Sequence, residues 1–203
     1  MKKQIIFIHG GETFDTYEKY IEYLKYSEYD PRKEPEKRWK NSLAEELRED
    51  FEVFTPSMPS KYNAKYKEWE IWFQKILPFV RDDVVLIGHS LGGIFLVKYL
   101  SAHTFPTRIA ATYLVAAPFN AEDSRYSLAD FNLPESLLQF EKQAGQIFLY
   151  HSKDDPVVPF SACGKYTAQL PRAKVVDFET KGHFMQESFP ELIQDIKSVA
   201  DQK

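Results

Sequence analysis

Val84-Val85-Leu86-Ile87-Gly88-His89-Ser90-Leu91-Gly92-Gly93-Ile94-Phe95-Leu96-Val97-Lys98-Tyr99-Leu100 is the stretch whose reading decides the fold. Four consecutive apolar residues, Val84 to Ile87, read as a strand buried on both faces of a parallel sheet. Ile94 to Leu100 reads as a helix buried on most sides. Between them, Gly88-x-Ser90-x-Gly92 places a serine on a sharp strand-to-helix turn. Small residues at 88, 92 and 93 let the chain turn and let the new helix approach the sheet. The five-residue pattern alone would arise by chance in about 0.07 of chains of this length. Its weight comes from the strand before it and the helix after it.

A serine hydroxyl is a poor nucleophile until a base takes its proton, and an imidazole base needs a carboxylate to hold its tautomer. Both follow later in the chain. The apolar run Gln146 to His151 leads into Ser152-Lys153-Asp154-Asp155-Pro156-Val157-Val158-Pro159, and Lys174 to Phe178 leads into Gly182-His183-Phe184. Each candidate follows a predicted strand. In a parallel sheet all three emerge at the carboxyl edge, where ligands bind in such folds. Asp154 and Asp155 are adjacent, so this reasoning leaves both open as the acid.

With these residues assembled, the chain resembles the α/β-hydrolase superfamily over nearly its whole length. It is most similar to the compact serine hydrolases of the retinoblastoma-binding-protein type. The matching pieces are Phe7-Ile8-His9-Gly10, Pro56-Ser57-Met58-Pro59 with the Trp69 helix, Gly88 to Gly93, Asp154 to Pro159, and Gly182-His183-Phe184. The resemblance implies Ser90 as nucleophile, His183 as base and Asp155, directly before the Pro-x-Val-Pro turn, as acid. It implies an oxyanion hole from the Leu91 and Gly11 N–H groups. One departure stands out: residues 12–38 form a tyrosine- and charge-rich insertion, longer than in the compact members.

Composition bounds the alternatives. The 203 residues suit a single domain covering 1–203, and 43% hydrophobic and 15% aromatic content supply one core. A net charge of −4 gives no broad electrostatic reason to bind nucleic acid. No stretch approaches the ~20 apolar residues of a membrane span. The single Cys163 leaves no internal disulfide and fits a reducing, cytoplasmic location. The opening Lys2-Lys3 and the short apolar run after it read as the first core strand, being too short for a secretory signal.

Six strands are expected, at 4–8, 51–55, 84–88, 109–115, 146–151 and 174–178, separated by helical patterns. Trp39, Leu43 and Leu47 mark one helix face; Trp69, Trp72, Phe73, Ile76 and Leu77 mark another. This alternation predicts an α/β fold with a mostly parallel, about six-stranded sheet and helices on both faces. By resemblance the 4–8 strand lies between 51–55 and 84–88, with the others following in chain order. The segments 12–38 and 118–136 begin at strand carboxyl ends and are candidate lids. In the first, a short helix would place Tyr17, Ile21 and Leu24 on one stripe.

The function expected is a serine hydrolase cleaving carboxylic esters or related acyl bonds, with a small-molecule acyl substrate and no cofactor. A low-turnover binding or scaffold protein on the same fold is the rival. His151 near Asp154 and Asp155 does not supply the several closely spaced histidines that catalytic zinc recruits, so no metal is expected. His9 is expected to hydrogen-bond near the site, and His89 to pack beneath it. Glu12, Phe14, Met58, Tyr62, Phe119 and Phe184 are the expected pocket. That lining is apolar apart from Glu12, which would repel an acidic substrate, so neutral short-chain or aryl esters are expected.

Overall fold

The computed structural model describes residues 2–32, 34, 36–123 and 127–201. In chain order the elements are β1 (Lys3–Ile8), α1 (Tyr17–Tyr26), α2 (Trp39–Leu47), β2 (Phe51–Phe54), α3 (Tyr66–Gln74), β3 (Val84–His89) and α4 (Leu91–Ala102). They continue with β4 (Ile109–Val115), α5 (Leu138–Gln143), β5 (Gln146–Ser152), α6 (Ser161–Gln169), β6 (Lys174–Phe178) and α7 (Pro190–Asp201). The six strands form one sheet in the order β2-β1-β3-β4-β5-β6, and every pairing is parallel. This is the architecture and strand order expected above.

The period-2 geometry of a strand divides the core into two. Ile6, Ile8, Leu86 and Leu114 face one side and pack with Trp69, Phe73, Phe95, Leu96, Phe140 and Tyr166. Ile5, Phe7, Val85, Ile87, Tyr113 and Tyr150 face the other and pack with Trp39, Leu43, Leu47, Phe189, Leu192 and Ile196. Helices α3 to α6 therefore cover one face, α2 and α7 the other. β3 is buried along its whole length, and α4 is buried at nine of its twelve residues. That dual burial explains why both read as unbroken apolar runs.

Two helical expectations need correction. α3 stops at Gln74, followed by a 3-10 turn at Leu77–Phe79, and Trp72 is exposed while Trp69 and Phe73 are buried. α1 does not pack through Tyr17 and Leu24, which are exposed. Thr16 caps its start, and the helix instead rests Tyr20 and Tyr23 on Phe14, with ring centroids 5.5 and 5.1 Å apart. Of the 118–136 segment, 124–126 lie outside the described residues. Within the rest, Leu128 and Phe131 are buried in the core and the Asp130 carboxylate accepts the Tyr66 N–H at 3.0 Å.

Candidate active site

β3 ends at His89, and the chain enters α4 through Ser90, whose φ of 53° and ψ of −121° are unfavourable for a residue with a side chain. The turn is over-determined: the Ser90 N–H donates to Val115 O at 2.8 Å, and the Gly93 N–H donates to Ser90 O at 2.9 Å. A Cβ on Gly92 would stand 2.2 Å from Ile8 O, and one on Gly88 would stand 2.5 Å from Gly92 O. Glycine at both positions is a steric requirement of the helix's approach. The His9-Gly10-Gly11 loop lies directly against the turn: a Cβ on Gly10 would meet Ser90 Cβ at 3.2 Å.

Ser90, Leu91, His183, Gly10, Gly11 and Glu12 line one cleft of about 800 Å³ at the carboxyl edge of the sheet. The His183 Nδ1–H donates to Asp155 Oδ2 at 2.8 Å; the Asp155 side chain is 1% exposed and that of His183 10%. The same carboxylate's Oδ1 accepts the N–H groups of Val157 and Val158, at 2.8 and 3.0 Å. Asp155 is thereby fixed from both sides. Asp154 turns away from His183, and its Oδ1 accepts the Ser152 hydroxyl at 2.5 Å and the Gly182 N–H at 2.8 Å. Those bonds, the Ser152 hydroxyl first, hold its pKa below the usual carboxylate value.

The loop carrying His183 is held from several elements. Gly182 adopts φ +51° and Phe184 φ +52°, a tight turn that sets His183 between them in the wall of the cleft. The Lys181 N–H donates to Ser152 Oγ at 2.9 Å, and His89 Nε2–H donates to His183 O at 2.9 Å. From α2, the Trp39 indole N–H donates to Phe184 O at 2.8 Å and the Trp39 backbone N–H to Gln186 O at 2.9 Å. His89 is fully buried; desolvation, reinforced by the Lys40 charge, depresses its pKa strongly and keeps it neutral. His9 is likewise lowered, chiefly by burial. Its Nδ1–H donates to Gly10 O at 2.6 Å, and its Nε2 accepts the Met58 N–H at 2.9 Å, so it braces the loop in one tautomer.

The family model for serine hydrolases matches residues 31–196, a span that contains Ser90, Asp155 and His183. The chain belongs to the serine hydrolase family. It is 26% identical over 157 residues to the serine hydrolase RBBP9 of Rattus norvegicus, covering 73% of this chain and 78% of that protein. Among solved structures it superposes on the ydeN gene product of B. subtilis with a TM-score of 0.79 at 19% identity, covering 99% and 100% of the two chains. Est1E from Butyrivibrio proteoclasticus with bound ferulic acid gives 0.61 at 15% identity, covering 98% and 88%. At these identities the structural likeness is one of fold.

The lining of this hydrolase's cleft departs from the expected one. Glu12 and Tyr62 line it; Phe14, Met58, Phe119 and Phe184 do not. Phe14 lies under α1. Met58 is buried in the core, and Phe184 is buried against Phe178 and Phe189, with centroids 5.6 and 5.2 Å apart. Phe119 packs edge-on against Tyr166 at 5.0 Å. Burying apolar surface draws these rings inward, which proximity to a strand end does not reveal. Their places are taken by Arg38, Lys40, Asn41, Lys61, Thr55 and Ser57. Sequence reasoning missed Arg38 and Lys40 because they sit at the start of α2, far along the chain from any motif. α1 lines an adjoining groove whose walls share Thr13 and Ser127 with this cleft, and no residue of α1 lines the cleft itself.

No group of His, Cys, Asp and Glu suited to a metal gathers among the described residues, and His151 is buried, its ring edge-on to Phe160. No helix there is long and apolar enough to cross a membrane.

Proposed function

We propose that this hydrolase cleaves carboxylic esters through an acyl-enzyme on Ser90, with His183 as general base and Asp155 orienting it. The observation that carries the reading is the buried Asp155 carboxylate bonded to Nδ1 of His183, which leaves Nε2 as the ring nitrogen available to act in the cleft that His183 and Ser90 both line. Nε2 takes the Ser90 hydroxyl proton as Oγ bonds the ester carbonyl carbon. It returns that proton to the alkoxide as the ester C–O bond breaks. Water then attacks the acyl-enzyme, gives its proton to Nε2 and leaves as part of the acid, while Ser90 recovers its hydrogen. Neutral imidazole is regenerated, so the cycle balances without a cofactor.

The oxyanion of each tetrahedral intermediate would be met by the N–H groups of Leu91 and Gly11. Leu91 opens α4, where the first N–H groups have no intrahelical acceptor and the helix dipole favours negative charge. A Cβ on Gly11 would lie 3.3 Å from Leu91 Cδ2, so the two donors' residues adjoin. The test is labelling with a serine-directed phosphonate, located by mass spectrometry of a digest, alongside turnover of p-nitrophenyl esters. The adduct is expected on Ser90 alone, and Ser90→Ala is expected to lose both labelling and turnover. Undiminished labelling of Ser90→Ala would sink the assignment.

A further inference from the structure

The cleft beside Ser90 holds cations that ester cleavage does not use. Arg38, Lys40 and Lys61 line it, with Glu12 and Glu36 as its carboxylates. Glu36 pairs with Arg38 at 2.8 Å. Among the described residues, neither Lys40 nor Lys61 has a carboxylate within ion-pair distance. The Lys40 ammonium lies 3.9 Å from Met185 Sδ, a weak acceptor, and the Lys61 ammonium stands 5.0 Å from the Tyr62 ring centroid.

We propose, building on the ester-hydrolase reading above, that the substrate carries a carboxylate bound at Lys40, between Arg38 and Lys61. Lys40 is the second residue of α2, and the first residue, Trp39, is bonded twice to the His183 loop. The ammonium therefore rides on the frame that positions the imidazole. His9 and His89 are held neutral, chiefly by burial and partly by Lys40 itself. Of the two carboxylates in the cleft, Glu36 pairs with Arg38, and Glu12 belongs to the loop after β1, its backbone bonded to Lys61 and Ala64.

Burial first, then the charges of Arg38 and Lys61, bring the Lys40 pKa down to about 8. A carboxylate among the three cations would replace this repulsion with attraction, and limited solvent access strengthens such a charge-assisted bond. This reverses the expectation of neutral substrates, which rested on apolar side chains that the fold mostly places elsewhere and on repulsion by Glu12, a cleft carboxylate that Arg38, Lys40 and Lys61 here outweigh.

Matched ester pairs decide it. Mono-p-nitrophenyl adipate against p-nitrophenyl hexanoate puts the carboxylate on the acyl side. p-Nitrophenyl acetate, with and without a carboxylate on the ring, puts it on the leaving side. One pair is expected to favour its carboxylate member in kcat/KM by about ten- to a hundredfold, the range of one hydrogen bond to a charged group. That ratio should collapse in Lys40→Met and persist in Lys40→Arg.

In the wild type the ratio should fall as pH rises through about 8, where Lys40 loses its charge. kcat/KM reports the free enzyme, and the neutral ester divides out the pH dependence of the chemical step. This measurement carries the test if Lys40→Met does not fold. Cleavage of the neutral esters without preference in either pair would overturn the anion site and leave the hydrolase reading standing. A preference that survives both Lys40→Met and high pH would overturn the role of Lys40. Failure to cleave any of the four esters above the Ser90→Ala background would overturn both readings.

Discussion

Gly92→Ala probes the junction on which the site depends. The added methyl would stand 2.2 Å from Ile8 O and 2.7 Å from His9 O, both backbone atoms of β1 and the loop that follows it. An ordinary carbon–oxygen contact is about 3.3 Å, so α4 and β1 must part by roughly 1 Å. Overpacking of this kind costs about 1–3 kcal/mol, and the rigidity of two backbone segments puts Gly92→Ala at the upper end. For a chain of this size, ~3 kcal/mol lowers Tm by roughly 6–12 °C. The same parting separates Leu91 from Gly11, and a misplacement of about 1 Å at a reacting centre can lower the rate on the order of a hundredfold. Scanning calorimetry and kcat/KM on a p-nitrophenyl ester read the two effects. A Gly92→Ala protein with wild-type Tm and wild-type turnover would refute the steric reasoning.

Gly164→Ala is the matching control: this exposed glycine in α6 has nothing within 4 Å of an added Cβ, so Ala should stabilise by about 0.5–1 kcal/mol, read as a higher urea midpoint. Trp39→Phe removes the indole N–H from the buried Phe184 carbonyl, and the orphaned acceptor should cost about 1–3 kcal/mol in urea unfolding. Its kcat should fall as well, because that carbonyl adjoins His183; a stability loss with kcat intact would limit Trp39 to packing. Asp155→Asn should lower kcat by up to about 10⁴, the size known for the corresponding change in a protease triad. Asp154→Asn should cost far less, because its bonds go to Ser152 and Gly182. A larger loss for Asp154→Asn would reverse the two roles.

The β-strands and the turn at Ser90 were legible in the sequence because their causes are local. Val84 to Ile87 is apolar without alternation because β3 is buried on both faces, and Gly88 and Gly92 lack side chains because backbone atoms occupy that space. The serine, aspartates and histidine each follow a strand, and parallel pairing brings strand ends to one edge whatever their separation in the chain. Local signals could not say which aspartate meets the imidazole. Asp154 and Asp155 are chemically identical neighbours, and the path of the loop turns one to Gly182 and the other to His183. Nor could they give the lining of the cleft. Phe184 and Met58 sit beside motif residues yet are drawn into the core, while Lys40 reaches the cleft because Trp39 bonds to a loop 145 residues away. Strand formation depends on a residue's immediate neighbours, whereas the cleft's walls depend on which distant surfaces the core pulls together. Only the tertiary structure decides that.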